Sequence, residues 1–173
     1  MDEFADDPPV ERRVGELLGE RDESVAVAET CTGGLVGALL TSVPGASDYL
    51  DRAVVPYDYD ALRTTLAVAR ETLDEHGAVS EPVTRELARA ARDTADATWG
   101  VATAGVAGPG GGTEDKPVGT GFVGVAYAAP WESGDSTATV SRYEFDGDRG
   151  AVRERLARRA LRDLETAARE RPE

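Results

Sequence analysis

The apolar run Trp99-Gly-Val-Ala102 passes straight into Thr103–Thr120, TAGVAGPGGGTEDKPVGT, which holds six glycines and two prolines. Glycine lets a backbone approach a ligand closely and adopt positive φ. Successive free N–H groups in such a turn make a concave anion site. A second polar, glycine-bearing segment, Ala28-Glu-Thr-Cys-Thr-Gly-Gly34, follows another apolar run and opens a helix. Two such loops at strand ends are what a small-molecule site in an open α/β sheet requires.

The rest of the chain fits that frame. Ser24–Ala28 reads as a buried strand, Tyr49–Tyr57 contains a second, and Trp99–Ala107 is a third leading into the glycine loop. Gly121–Ala129 is a fourth, and Thr137–Phe145 alternates as an edge strand. Apolar residues recur at helical spacing over Pro9–Arg21, Gly34–Val43, Tyr59–Val68, Arg70–His76, Glu81–Ala97 (with Ser80 as cap) and Arg149–Arg169. Alternating strands and helices predict an α/β fold: a three-layer α/β/α sandwich around a mostly parallel, mixed sheet of about five strands. One domain is expected over residues 1–173, with 1–8 a mobile acidic tail.

Composition narrows the partners. The formal net charge is −14, and Lys116 is the only lysine among 19 basic residues. An acidic, lysine-poor surface suits concentrated salt, where self-repulsion is screened. It argues against nucleic-acid binding, which draws on basic patches. A single cysteine, Cys31, excludes an intrachain disulfide, and one cysteine with one histidine argues against a soft-ligand metal site. No apolar run approaches the ~20 residues of a membrane span, and the acidic start is no signal peptide. A cytoplasmic homo-oligomer without cofactor is expected.

Taken together, Ala28-Glu-Thr-Cys-Thr-Gly-Gly-Leu35, Leu40–Ser47, Val54-Val-Pro-Tyr57, His76–Glu81, Gly105-Val-Ala-Gly-Pro-Gly-Gly111, Lys116-Pro-Val-Gly119 and Gly147-Asp-Arg149 resemble the C-terminal domain of the CinA family. The resemblance spans roughly residues 10–165. Stand-alone members of that family are nicotinamide-nucleotide amidases, so it implies metal-free hydrolysis of the carboxamide of nicotinamide mononucleotide by a serine–lysine pair. It also implies a substrate site at Ser47, Tyr57, Gly105, Gly108, Gly111, Lys116 and Arg149. The catalytic positions depart from the family pattern. Thr30 stands where the family has its nucleophilic serine, Leu62 where it has the general-base lysine, and Ala104 where it commonly has threonine. Arg63 is next along, but guanidinium stays protonated and cannot serve as base. The resemblance therefore implies a nucleotide-binding or regulatory homologue with lost or weak amidase activity. The alternatives are an active amidohydrolase using Thr30 and a structural oligomer subunit without ligand.

Each residue also has a bland reading. Thr30 is read as a helix N-cap or strand-end residue, Cys31 as a small buried hydrophobe, and His76 as a helix-end partner beside Gly77. Lys116 contacts a phosphate or only solvates its loop. Arg149 binds substrate or pairs with Asp146 or Asp148. Glu29 is expected to be buried and hydrogen-bonded.

Overall fold

Five strands, Val25–Glu29 (β1), Leu50–Val54 (β2), Trp99–Gly105 (β3), Thr120–Tyr127 (β4) and Thr137–Glu144 (β5), form one sheet in the order β2-β1-β3-β4-β5. The computed structural model describes residues 4–171. β1 pairs in parallel with both β2 and β3, while β4 is antiparallel to β3 and to β5. Four of the five strands thus run the same way and β4 alone is reversed, giving the mostly parallel, mixed sheet expected.

Among the described residues six α-helices cover the sheet: Val10–Glu20 (α1), Leu35–Thr41 (α2), Tyr59–Leu66 (α3), Arg70–His76 (α4), Glu81–Ala95 (α5) and Arg149–Glu170 (α6). Strand alternation sorts them into two layers. Val25, Val27, Val101, Val123 and Val125 face Val14 and Leu18 of α1, Leu40 of α2 and Leu156, Leu161 and Leu164 of α6. Ala26, Ala28, Ala102 and Ala126 face Leu62 and Leu66 of α3, Leu73 of α4 and Val83, Leu87 and Ala91 of α5. The second face is built from small residues because α5 lies close against it. A Cβ on Gly100 would sit 2.0 Å from the Ala88 carbonyl oxygen, so no larger residue fits at that crossing.

One local detail departs from expectation. Ser80 occupies the N-cap of α5, but its hydroxyl donates to the Gly77 carbonyl at 2.8 Å and does not accept from the helix. Residues 4–8 of the expected acidic tail make contacts with arginines. Arg162 donates to Asp6 Oδ1 at 2.8 Å, Arg13 donates to the Pro8 carbonyl at 2.6 Å, and the Arg155 guanidinium lies 4.3 Å from the Phe4 ring centre. Residues 1–3 of that expected tail lie outside the described residues. Between α1 and α6, the fully buried Arg158 donates to Glu11 at 2.9 Å and Glu154 at 3.0 Å. Among the described residues, no helix is long and apolar enough to cross a membrane.

Candidate functional site

The carboxyl ends of β1 and β3 lie side by side, with Glu29 paired against Thr103. The ladder runs one residue further, since the Thr30 N–H donates to the Thr103 carbonyl at 3.1 Å. Alternation then turns Glu29 and Cys31 toward α2 and α6, and Thr30 toward the opposite layer. Glu29 is fully buried. Its Oε2 accepts from the Thr32 hydroxyl at 2.6 Å and from the N–H groups of Gly34 and Val36 at 3.0 Å each, and its Oε1 accepts from Gly37 N–H at 2.9 Å. Gly34 is the N-cap of α2 and offers no side chain. Glu29 supplies the missing acceptors and places a negative charge at the positive end of the helix.

Thr30 is therefore a strand-end residue and not the N-cap. Its hydroxyl donates to the Thr103 carbonyl at 3.0 Å and lies beside the Cys31 thiol. Burial pushes that thiol up to about 11, with the Thr30 hydroxyl pulling weakly the other way. Cys31 is accordingly a protonated, buried group near neutral pH. Ala104 is fully buried on β3, on the same face of the sheet as Thr30 by alternation. Leu62 is fully buried in the apolar cluster of that layer. The three departures from the family pattern thus belong to one side of the sheet. Arg63 pairs with Asp60 at 3.5 Å on the exposed side of α3.

Hydrogen bonds beyond these strand ends link three of the residues expected to bind, Tyr57, Gly108 and Arg149. Arg149, the first residue of α6, donates from Nη1 to the Gly108 carbonyl at 2.6 Å, and its Nη2 lies 3.5 Å from the Tyr57 hydroxyl. Tyr57 is 64% exposed. Lys116 Nζ donates to the His76 carbonyl at 3.1 Å, joining the glycine loop to the end of α4. Among the described residues, neither Lys116 nor Arg149 forms a salt bridge. Asp146 and Asp148 are not the partners of Arg149; Asp148 instead caps α6 by accepting the Ala151 N–H at 2.9 Å. Both cations are held by uncharged backbone oxygens.

The loop glycines fall where close backbone approach is needed. A Cβ on Gly105 would meet Thr120 O at 2.6 Å and Cys31 Sγ at 3.1 Å. Gly108 and Gly111 have φ of +83° and +86°, a region other residues rarely adopt. Ser47 does not join this group. It precedes β2 in the turn Ala46–Asp48, at the amino end of the parallel strands, and is exposed. The five residues of β1 put it about 16 Å from Thr30 along the strand direction.

Two contributors were not read from the sequence. Arg153 of α6 donates from Nε to the Cys31 carbonyl at 3.2 Å and from Nη2 to the Thr32 carbonyl at 2.7 Å, clamping the turn after Thr30. The Thr103 hydroxyl lies 2.7 Å from that of Thr32, and since Thr32 donates to Glu29, the Thr103 hydroxyl donates to Thr32. Arg153 lies one turn beyond Arg149 on the same helix face, which is the only sequence signal that marked it.

Comparisons with known proteins agree with the fold. The sequence model of the CinA C-terminal domain matches residues 7–168. A CinA-like protein of Anaeromyxobacter sp. (strain K) is 51% identical over 152 residues, covering 88% of this chain and 36% of that protein. One from Chlorobium limicola is 41% identical over 160 residues, covering 92% and 37%. The chain thus spans little more than a third of the length of these relatives. A CinA superfamily protein of Klebsiella pneumoniae superposes with a TM-score of 0.85 at 31% identity, covering 94% of this chain and 97% of that one. The competence/damage inducible protein CihA of Agrobacterium tumefaciens does so at 0.85 and 33%, covering 93% and 94%.

Proposed function

The chain belongs to the family of the CinA C-terminal domain, and on that footing we propose that it binds a nicotinamide-type mononucleotide and turns it over weakly or not at all. The ligand would lie against Tyr57, the Gly105–Gly119 loop, Lys116 and Arg149. A mononucleotide phosphate suits two cations that no carboxylate neutralises, and an aromatic base suits the exposed ring of Tyr57.

The single observation that carries the loss of turnover is the surroundings of the Thr30 hydroxyl. Amide hydrolysis through a hydroxyl nucleophile requires its proton to leave as the oxygen attacks the carboxamide carbon. The groups that hold this hydroxyl are a backbone carbonyl and a thiol that stays protonated to about pH 11. Neither accepts a proton near neutrality. Leu62 fills the position of the family's base with a buried alkyl group. Loss of a general base alone slows such reactions ~10²–10⁴-fold, and the threonine methyl crowds the approach further.

Ammonia release from nicotinamide mononucleotide tests this directly. The protein should fall well below the ~1–10³ per second of ordinary enzymes, and the combined variant Thr30→Ser, Leu62→Lys, Ala104→Thr should exceed it. Turnover in the ordinary range by the unaltered chain, abolished by Thr30→Ala, would establish an active amidohydrolase using Thr30 instead.

A further inference from the structure

Thr120 opens β4 and is fully buried, yet its hydroxyl has no hydrogen-bond partner among the described residues. A threonine hydroxyl can both donate and accept, and leaving it unpaired away from water costs stability. In native structures such a group marks an ion, a water or a catalytic role. The two hydroxyls at the start of α5 are turned elsewhere. Ser80 donates to the Gly77 carbonyl at 2.8 Å, and Thr84 donates to the Ser80 carbonyl at 2.7 Å.

The ladder shows what this hydroxyl faces. Thr120, Phe122 and Gly124 share one face of β4 by alternation. On that face α5 lies against Gly124, where a Cβ would sit 2.9 Å from the Thr84 carbonyl oxygen. Gly100, at the start of β3, meets Ala88 and Arg92, later in the helix. The N-terminus of α5 therefore points to the carboxyl end of β3, where β4 begins at Thr120. That terminus is open. No side chain caps it and Pro82 has no N–H, so the N–H groups of Glu81 and Val83 are free. Lys116 reaches the same place from the glycine loop, since its Nζ donates to the carbonyl of His76, shortly before α5. An ammonium carries further donors beyond that one.

We propose that the first turn of α5, the Thr120 hydroxyl and Lys116 together anchor the phosphate of a phosphate monoester. Free N–H groups at the positive end of a helix favour an anion. Lys116 adds a full charge, and the idle hydroxyl becomes a donor to it. The carboxylates flanking this point are already paired: Glu81 with Arg85 at 2.6 Å, and Glu144, the register partner of Thr120, with Arg142 at 3.2 Å. Thr120 is closed to water, so the loop must lift Lys116 from the His76 carbonyl to admit the phosphate. The identity of the ester rests on the mononucleotide reading above. Thr30 continues β1 level with Ala104 and Phe122, and Thr120 lies two residues further along the mouth. Two strand spacings and two residues put Thr120 about 12 Å from Thr30. A pyridine ring and a ribose fill that span, with the carboxamide at Thr30 and the phosphate at Thr120.

Thr120→Val removes the hydroxyl and keeps the shape, while Thr120→Ser keeps the hydroxyl. Parent and variants are titrated with nicotinamide mononucleotide and nicotinamide riboside, and melted with inorganic phosphate replacing chloride at fixed ionic strength. Thr120→Val should bind the mononucleotide about tenfold more weakly, bind the riboside as the parent does, and lose the rise in melting point that phosphate gives the parent. Thr120→Ser should behave as the parent. Without ligand, Thr120→Val should melt no lower than the parent, because the hydroxyl it loses has no partner. Undiminished binding of the mononucleotide and phosphate by Thr120→Val would overturn the proposal. So would an equal loss of riboside binding, or a lower melting point without ligand, which would give the hydroxyl a partner within the fold. Phosphate held through Thr120 with no mononucleotide bound would keep the anchor and remove the mononucleotide reading. Binding of neither by the parent would remove both.

Discussion

Glu29 Oε2 accepts the Thr32 hydroxyl at 2.6 Å while also holding the N–H groups of Gly34 and Val36. One buried carboxylate therefore ends β1, starts α2 and fixes the turn between them. Glu29→Ala would leave buried donors without acceptors, each costing about 1–3 kcal/mol. The expected loss is at least about 3 kcal/mol, read from the midpoint of denaturant unfolding. A variant within about 0.5 kcal/mol of the parent would show that the turn is held by other contacts.

Arg158 presents a second buried charge. It is fully enclosed and pairs with Glu11 and Glu154. Arg158→Leu strands the Glu11 carboxylate between α1 and α6, at a cost of about 3–5 kcal/mol. Adding Glu11→Gln should return much of that stability. Unfolding curves of the single and double variants decide it, and equal losses in both would remove the coupling.

Cys31 sets a pH dependence. Its folded value is about 11 against an unfolded value of 9.0. The folded state therefore holds its proton more tightly, so this stabilising contribution is complete below pH 9 and lost as pH rises through 11. At about 1.4 kcal/mol per unit the contribution is about 3 kcal/mol. Cys31→Ala should flatten the fall in stability between pH 9 and 11 relative to the parent. Identical slopes in the two proteins would contradict the burial account.

Salt should stabilise the fold. With a net charge of −14, self-repulsion is strong when the Debye length is ~30 Å at 0.01 M and weak when it is ~3 Å at 1 M. Thermal midpoints are expected to rise across that range. A fall would mean that ion pairs such as Arg162–Asp6 and Arg13–Glu165 outweigh the repulsion.

The helices and strands were legible because their patterns are one-dimensional. β1 and β3, buried on both faces, read as short apolar runs, and β5 reads as an alternation. The two glycine loops were legible for the same reason, as breaks in those patterns. What stayed hidden depends on pairing between distant segments. Glu11 looks like any acidic residue on a charged helix until Arg158, 147 positions away, closes on it. Arg153 looks like one of many arginines on α6 until it meets the carbonyls of Cys31 and Thr32. Ser47 matched a motif, yet a motif carries no record of which end of the sheet it occupies.

The most direct test of the binding account is a calorimetric titration of the protein, Lys116→Ala and Arg149→Ala with nicotinamide mononucleotide. The parent should bind, and each substitution should weaken binding about tenfold or more, the worth of one charge-assisted contact, without lowering the folded fraction. No binding by the parent at millimolar concentration, or undiminished binding by both variants, would contradict the claim that these residues hold a nucleotide.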